Sequence, residues 1–214
     1  MTMEDFFRKA AELGVRGVDV TTYWLKSTEP AYLTGLRHLA FKNALGFSGA
    51  AIRTEMCQPD AAKRAEEVDK IKHWVDVTQL LGASHLRVFG GDLPPGATEK
   101  QGIEWVAEIL KPACEYASRF GITLGIEDHH GITERAATIL EILRRVDSPY
   151  MGINLDISNF HAPTDEEQYA EIEACLPYAS HTHIRDLFSV SRRPIDLDRV
   201  FQINLIYYFC SAKF

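Results

Sequence analysis

The sequence predicts an α/β fold of the (β/α)8 TIM-barrel type, incomplete in that a first and an eighth strand are not recognisable. Three observations predict it. Helix and strand patterns alternate along the whole chain, which implies a parallel sheet with helices outside it. Four of the strands carry one apolar and one polar face. Neither a Gly-x-Gly-x-x-Gly turn after a strand nor a Gly-x-x-x-x-Gly-Lys-Ser/Thr loop occurs, which removes the usual nucleotide sites of an open doubly wound sheet.

The elements follow in order. Met3–Leu13 has Phe6, Phe7, Ala10 and Leu13 at helical spacing and stops at Gly14. Val15–Trp24 is a strand rich in β-branched and aromatic residues, with Asp19 and Tyr23 sharing one face. Pro30–Leu45 is helical and Phe47–Arg53 a short strand. Pro59–Leu81 is a long helix, with Pro at its start and Gly82 after its end. Ser84–Phe89 is a strand closed by Gly90-Gly91, and a helix runs from about Glu99 to Phe120. Ile122–Asp128 is a strand, Thr133–Val146 a helix, Tyr150–Ile157 a strand, Asp165–Cys175 a helix and Ser180–Arg185 a strand. Ile195–Gln202 begins a further helix, with Asp196 and Asp198 in its first turn.

Side-chain alternation separates the barrel from the open sheet. Successive strand residues point to opposite faces. Leu86/Val88, Leu124/Ile126, Ile153/Leu155 and Thr182/Ile184 fall on one face. His85/Arg87, Gly125/Glu127, Asn154/Asp156 and His181/His183 fall on the other. A sheet sandwiched between helices is apolar on both faces. A polar face fits a barrel interior, and its chemistry-bearing residues come late in each strand, at the end where barrel sites are built.

A barrel of eight units takes about 250 residues, and this chain has 214. The expectation is one domain over residues 1–214, short at both ends, with 203–214 an atypical or replaced tail. Apolar and charged fractions of 46% and 25% are those of an ordinary globular protein, and a net charge of −7 gives no electrostatic footprint for nucleic acid or an anionic membrane. Cys57, Cys114, Cys175 and Cys210 are scattered and form no C-x-x-C pair, so neither a disulfide framework nor a thiolate zinc site is expected. With no signal-peptide pattern at the N-terminus, a cytoplasmic location is the expectation.

Glu127, Asp156 and His183 end three successive strands, 29 and then 27 residues apart, about one strand-plus-helix unit each. Neighbouring barrel units therefore bring two carboxylates and an imidazole to one mouth. That oxygen-rich set favours Mn²⁺, Mg²⁺ or Co²⁺, with Zn²⁺ an alternative. Standing alone, Glu127 would more simply pair with Arg87 or Arg185. His129 contacts substrate or orients Glu127, or else belongs to a loop leading a helix. Asn159 contacts substrate or caps a turn, and Arg185 binds a substrate oxygen or pairs with Asp156 or Asp186. Arg87 and His85 line the same mouth by parity. His181 is more simply a satisfied interior histidine, and Asp19 and Tyr23 a core-edge pair. Trp74 and Trp105 are packing residues on helices.

These motifs resemble the xylose-isomerase-like sugar phosphate isomerase/epimerase family. They are Glu127-Asp128-His129, Asp156-Ile157-Ser158-Asn159 and His183-Ile184-Arg185-Asp186, joined by Arg87-Val88-Phe89-Gly90-Gly91 as the fourth-strand segment. The resemblance spans about Met3 to Gln202. It implies a divalent-metal barrel acting on a sugar or polyol, with Glu127, Asp156 and His183 as ligands and Glu127 as the catalytic carboxylate. The candidate substrate-binding residues are His129, Asn159 and Arg185, with Arg87 and His85 added by parity. The reaction implied is proton transfer next to a carbonyl through an enediolate. Alternatives on the same barrel are an inosose-type polyol dehydratase and an endonuclease IV-like DNA-repair enzyme, the latter disfavoured by the acidic charge. The family pattern further implies a fourth ligand, a Glu ending an eighth strand. No Glu follows Glu173, so the expectation is a chain with weakened or no activity. A small-molecule substrate is the implied partner. Neither nucleic acid nor membrane is expected, and a homo-oligomer is left open.

Overall fold

The computed structural model describes residues 2–203. It contains six strands: β1 (Gly17–Thr21), β2 (Gly46–Ala51), β3 (His85–Phe89), β4 (Thr123–Glu127), β5 (Met151–Asp156) and β6 (Ala179–His183). They form one parallel sheet in the order β1-β2-β3-β4-β5-β6. A doubly wound sheet reverses its strand order at a switch point. Strict sequence order, with a helix in every crossover, is the arrangement of a barrel wall, and these strands make a half-barrel.

The helices are α1 (Met3–Glu12), α2 (Pro30–Lys42), α3 (Ala61–Leu81), α4 (Glu99–Ser118), α5 (Ala136–Val146) and α6 (Asp165–Cys175), with residues 197–203 also helical. Their starts follow from local chemistry. Thr2, Thr98 and Thr164 each accept a bond from the backbone N–H three residues on, and the Asp5, Gln101 and Glu167 side chains each accept one from the backbone N–H of the cap. Asp60 caps α3, and α3 ends at Gly82, whose φ of +81° suits glycine.

Leu86, Val88, Leu124, Ile126, Ile153 and Leu155 are fully buried on the outer face. They join Ile71 and Val75 of α3, Val106 and Leu110 of α4, Ile139 and Ile142 of α5 and Ile172 of α6 in one core. A second core gathers Phe7, Val18, Leu33, Leu36, Phe47 and Leu81 beneath α1 and α2. The inner face is polar, as parity requires: His85, Arg87, Glu127, Asn154 and Asp156 are all buried there.

Two of the boundaries that differ from the sequence expectation have a visible cause. The first strand ends at Thr21, and Thr22–Trp24 form a 3-10 turn in which Tyr23 is exposed, so Tyr23 does not share the face of Asp19. The cause is non-local: the Thr22 hydroxyl donates to Ala51 O at 3.0 Å and pulls the chain out of extended geometry. Helix α5 begins at Ala136, three residues later than its pattern suggests. A 3-10 turn, Gly131–Thr133, precedes it, where Ile132 N–H donates to Gly91 O. Among the described residues no helix is long and apolar enough to cross a membrane.

Candidate metal centre

Pairing register builds the site. Glu127 is the last residue of β4 and lies opposite Asn154 of β5, while Asp156 at the end of β5 lies opposite His183 at the end of β6. One ligand-type atom from each of Glu127, Asp156 and His183 lies within 4.8 Å of the others. His183 Nδ1 is 3.6 Å from Glu127 Oε1 and 3.8 Å from Asp156 Oδ2. The structure thus brings together the three residues that strand parity selects.

Two like charges buried this close require compensation. Arg87 Nε lies 2.8 Å from Glu127 Oε2, an ion pair out of alignment for a hydrogen bond, because neither atom has a bonded partner. The Arg87 guanidinium is held from behind by Nη1 donating to Ile52 O and by the Phe89 ring, 3.9 Å from its centre. Arg185 Nε donates to Asp156 Oδ2 at 2.9 Å. Asp156 Oδ1 accepts from the Ser158 amide and hydroxyl at 3.0 and 2.7 Å. Protonated His183 supplies further compensation. Bonds to Asp19 and then Glu127 raise its pKa to about 9, against the opposing effect of burial.

Asp128 points the other way and is fully buried. Its Oδ1 accepts the Asp156 amide at 2.8 Å, which ties β4 to β5 directly behind the two carboxylates. Burial pushes its carboxyl well above the ordinary range.

Of the proposed substrate contacts, His129 sits at the mouth. Its ring stacks on Phe89 at 4.6 Å, and its Nδ1 lies 3.8 Å from Glu127 Oε1 and 3.3 Å from Asn159 Nδ2. Asn159 Oδ1 accepts from Ser189 Oγ at 2.7 Å, so its carbonyl is engaged and its amide faces His129. Arg185 is half exposed beside Asp156. His85 lies one layer deeper, bonded through Nε2 to Ser180 Oγ at 3.0 Å and packed against Gly125, with burial lowering its pKa to about 4. The structure does not bring it to the carboxylates.

Two expectations are corrected. His181 is not a satisfied interior histidine: its buried Nδ1 has no partner among the described residues. Its ring stacks on His85 at 5.0 Å and meets His183 edge-on at 5.8 Å. Asp19 is not a core-edge residue, since its Oδ2 reaches across the half-barrel to within 3.4 Å of His183 Nε2. Burial raises the Asp19 carboxyl, but the bond from His183 and the fields of His181, His183 and His85 outweigh it and the net direction is down. Parity placed Asp19 on the inner face. The reach across 164 residues of chain depends on sheet curvature, which no local pattern carries. The eighth strand at which the family pattern implies a fourth carboxylate ligand would fall after residue 203, outside the described residues, and residues 204–214 carry no Asp or Glu.

The residues fit a divalent cation. Two carboxylates and an imidazole form a hard-to-borderline donor set. Asn154 Oδ1 is buried there without a hydrogen-bond partner among the described residues, and an orphaned acceptor of this kind is what a cation satisfies.

The fold has solved counterparts. Protein SMc04130 from Sinorhizobium meliloti 1021 is 19% identical, with a TM-score of 0.79 over 96% of this chain and 80% of its own. D-psicose 3-epimerase from Clostridium cellulolyticum H10, solved with D-tagatose, is 14% identical, with a TM-score of 0.79 over 98% and 76%. A probable 3-DHS dehydratase, AsbF, from Bacillus anthracis is 14% identical, with a TM-score of 0.73 over 100% and 85%. No curated relative matches the sequence. The family model for the xylose isomerase-like TIM barrel matches residues 7–203, so with this half-barrel topology the chain belongs to the xylose isomerase-like TIM barrel family.

Proposed function

We propose that this protein is a divalent-metal-dependent sugar isomerase or epimerase that moves a proton at the carbon next to a carbonyl. The observation that carries the reading is the convergence of Glu127, Asp156 and His183 at three consecutive strand ends, on a barrel whose solved counterparts include a sugar 3-epimerase. Glu127, Asp156 and His183 would hold Mn²⁺, Mg²⁺ or Co²⁺, with Zn²⁺ the alternative, and the ion would supply positive charge to polarise a substrate carbonyl.

The chain's own groups supply the rest. Glu127 accepts the proton from carbon, leaving the substrate as an enediolate, and returns it to complete the transfer. Arg87 pairs with Glu127 and fixes its position, and Phe89 and Ile52 O keep Arg87 in place. Asp128 orders the β5 end through the Asp156 amide. The His129 ring, the Asn159 amide and the Arg185 guanidinium face the mouth as donors for hydroxyl or carbonyl oxygens. His85 acts from beneath, as a packing support for Gly125. Epimerisation needs a second proton-transfer group on the opposite face of the carbon. The resemblance implies a Glu ending an eighth strand in that role, and no Glu follows Glu173 in this sequence.

The test is solvent-hydrogen exchange. Protein loaded with Mn²⁺ is incubated in D₂O with a panel of ketoses and polyol ketones, and deuterium at the carbon next to the carbonyl is read by NMR. Exchange with at least one substrate is expected, falling about 10²- to 10⁴-fold in Glu127→Gln. No exchange with any substrate ends the reading. Loss of water following exchange would identify a dehydratase instead, the chemistry named for the Bacillus anthracis counterpart.

A further inference from the structure

We propose a second divalent-cation site, formed by Asp19, His181 and His183, adjoining the first and selective for Zn²⁺ or Co²⁺. It does not depend on which reaction the first site performs.

The two sites share one ring. Imidazole nitrogens face away from each other, and those of His183 face different groups. Nδ1 looks toward Glu127 and Asp156, at 3.6 and 3.8 Å. Nε2 looks toward Asp19, with Oδ2 at 3.4 Å. The Asp19–His181–His183 set also has one ligand-type atom from each residue within 4.8 Å of the others. Its donors come from β1 and β6, so it lies across the interior of the half-barrel rather than along the β4–β5–β6 mouth.

Two orphaned atoms mark this position. Asp19 Oδ1 and His181 Nδ1 are both buried and neither has a hydrogen-bond partner among the described residues. An Asp19–His183 ion pair accounts for Oδ2 and Nε2 and leaves both of these atoms unexplained. A cation bound by the three residues gives each an electron-pair acceptor. The surroundings leave room for it. Gly49 has no side chain where a Cβ would approach Asp19 Oδ1 to 3.0 Å. Asp19 also lines a cavity of about 470 Å³ with Phe6, Val20 and Trp24. A carboxylate with two imidazoles is a zinc-type donor set, softer than the two-carboxylate set of the first site. With both sites filled, His183 would present one ring nitrogen to each ion, and both of its ring protons would pass to solvent.

The experiment counts metal. Wild type, His181→Gln, Asp19→Asn and Glu127→Gln are equilibrated with Zn²⁺, freed of loose ions by gel filtration and assayed by mass spectrometry. Titrations with Co²⁺ are followed by visible absorption. His181 and Asp19 are only partly buried, so these variants test binding with little risk to folding, which circular dichroism checks. The site predicts two ions per wild-type chain and one in each variant. It also predicts a Co²⁺ band retained in Glu127→Gln and weakened about tenfold or more in His181→Gln. A wild type holding one ion, with a count that His181→Gln leaves unchanged, overturns the proposal and leaves Asp19 as an orienting partner of His183. If Glu127→Gln alone leaves the count unchanged, the first site fails and the second stands.

Discussion

At the scale of single residues, the inner face tolerates little added volume. A Cβ on Gly125 would lie 2.3 Å from His85 Nε2, 2.6 Å from its Cε1 and 3.2 Å from the Asn154 amide. His85 is held in place, because Ser180 bonds its Nε2 at 3.0 Å and the His181 ring stacks on it at 5.0 Å. Gly125→Ala is expected to destabilise the protein by about 1–3 kcal/mol through overpacking. Gly35, inside α2 with nothing within 4 Å of an added Cβ, is the contrast: Gly35→Ala should stabilise by about 0.5–1 kcal/mol. Urea denaturation of both decides the point, and a Gly125→Ala midpoint equal to wild type would falsify the packing argument. The cysteines give a second prediction. Cys57, Cys114 and Cys175 are buried, and burial pushes the thiols of Cys57 and Cys114 up to about 12 and that of Cys175 up as well. Thiolate is the reactive form. A thiol reagent at pH 8 should leave all three unmodified until denaturant is added, as read by peptide mass mapping. Modification of any of them in the native protein contradicts their placement. At this scale the sequence shows residue type and face, so Glu127, Asp156 and His183 are legible. The orphaned Nδ1 of His181 is not, because satisfaction depends on what stands opposite.

At the scale of elements, order and type are legible because period-2 and period-3.6 patterns are long and glycines mark the stops. Element ends are not, where a bond from a distant segment decides them. Thr22 leaves β1 to reach Ala51, and Ile132 is held by Gly91 before α5 can start. Helix α5 offers a test of local electrostatics. Glu141 accepts bonds from Arg144 and Arg145, three and four residues on, which lower its pKa to about 2. A carboxyl with a lowered folded-state pKa adds stability above its unfolded value, near 4.5, and loses it as pH falls toward 2. The group is fully exposed, so solvent and salt screening keep the effect small. Glu141→Gln should lower the melting temperature slightly at pH 7 and low salt, with the gap to wild type closing as pH drops below 4. A gap that is constant from pH 7 to pH 3 means these ion pairs contribute nothing.

At the scale of the whole molecule, alternation predicts a barrel wall and the sheet order delivers one. What alternation cannot supply is how far the wall curves, and curvature is what carries Asp19 of β1 to His183 of β6. The same geometry makes the two edges of the described sheet dependent on what fills the interior. The outward residues Thr182 and Ile184, at and just beyond the end of β6, are exposed, whereas their counterparts on β3, β4 and β5 are fully buried. With no such apolar cover among the described residues, β6 is held by its ladder to β5 and by its side chains. A cation held by Glu127, Asp156 and His183 would tie β4, β5 and β6 at one point, and one held by Asp19, His181 and His183 would tie β6 to β1. Because an unfolded chain does not present either set, binding energy adds to folding energy. A free ion at 100 times its dissociation constant contributes about 2.7 kcal/mol. Mn²⁺ or Zn²⁺ is therefore expected to raise the melting temperature, chelator to reverse the rise, and Asp156→Asn to abolish the Mn²⁺ part. Hydrogen exchange locates the effect: amides of β6 should gain protection on metal addition, while those of β3, already enclosed on both faces, should change little. Equal gains in β3 and β6 would mean that the ion stabilises the fold globally rather than by fastening an edge strand to its neighbours.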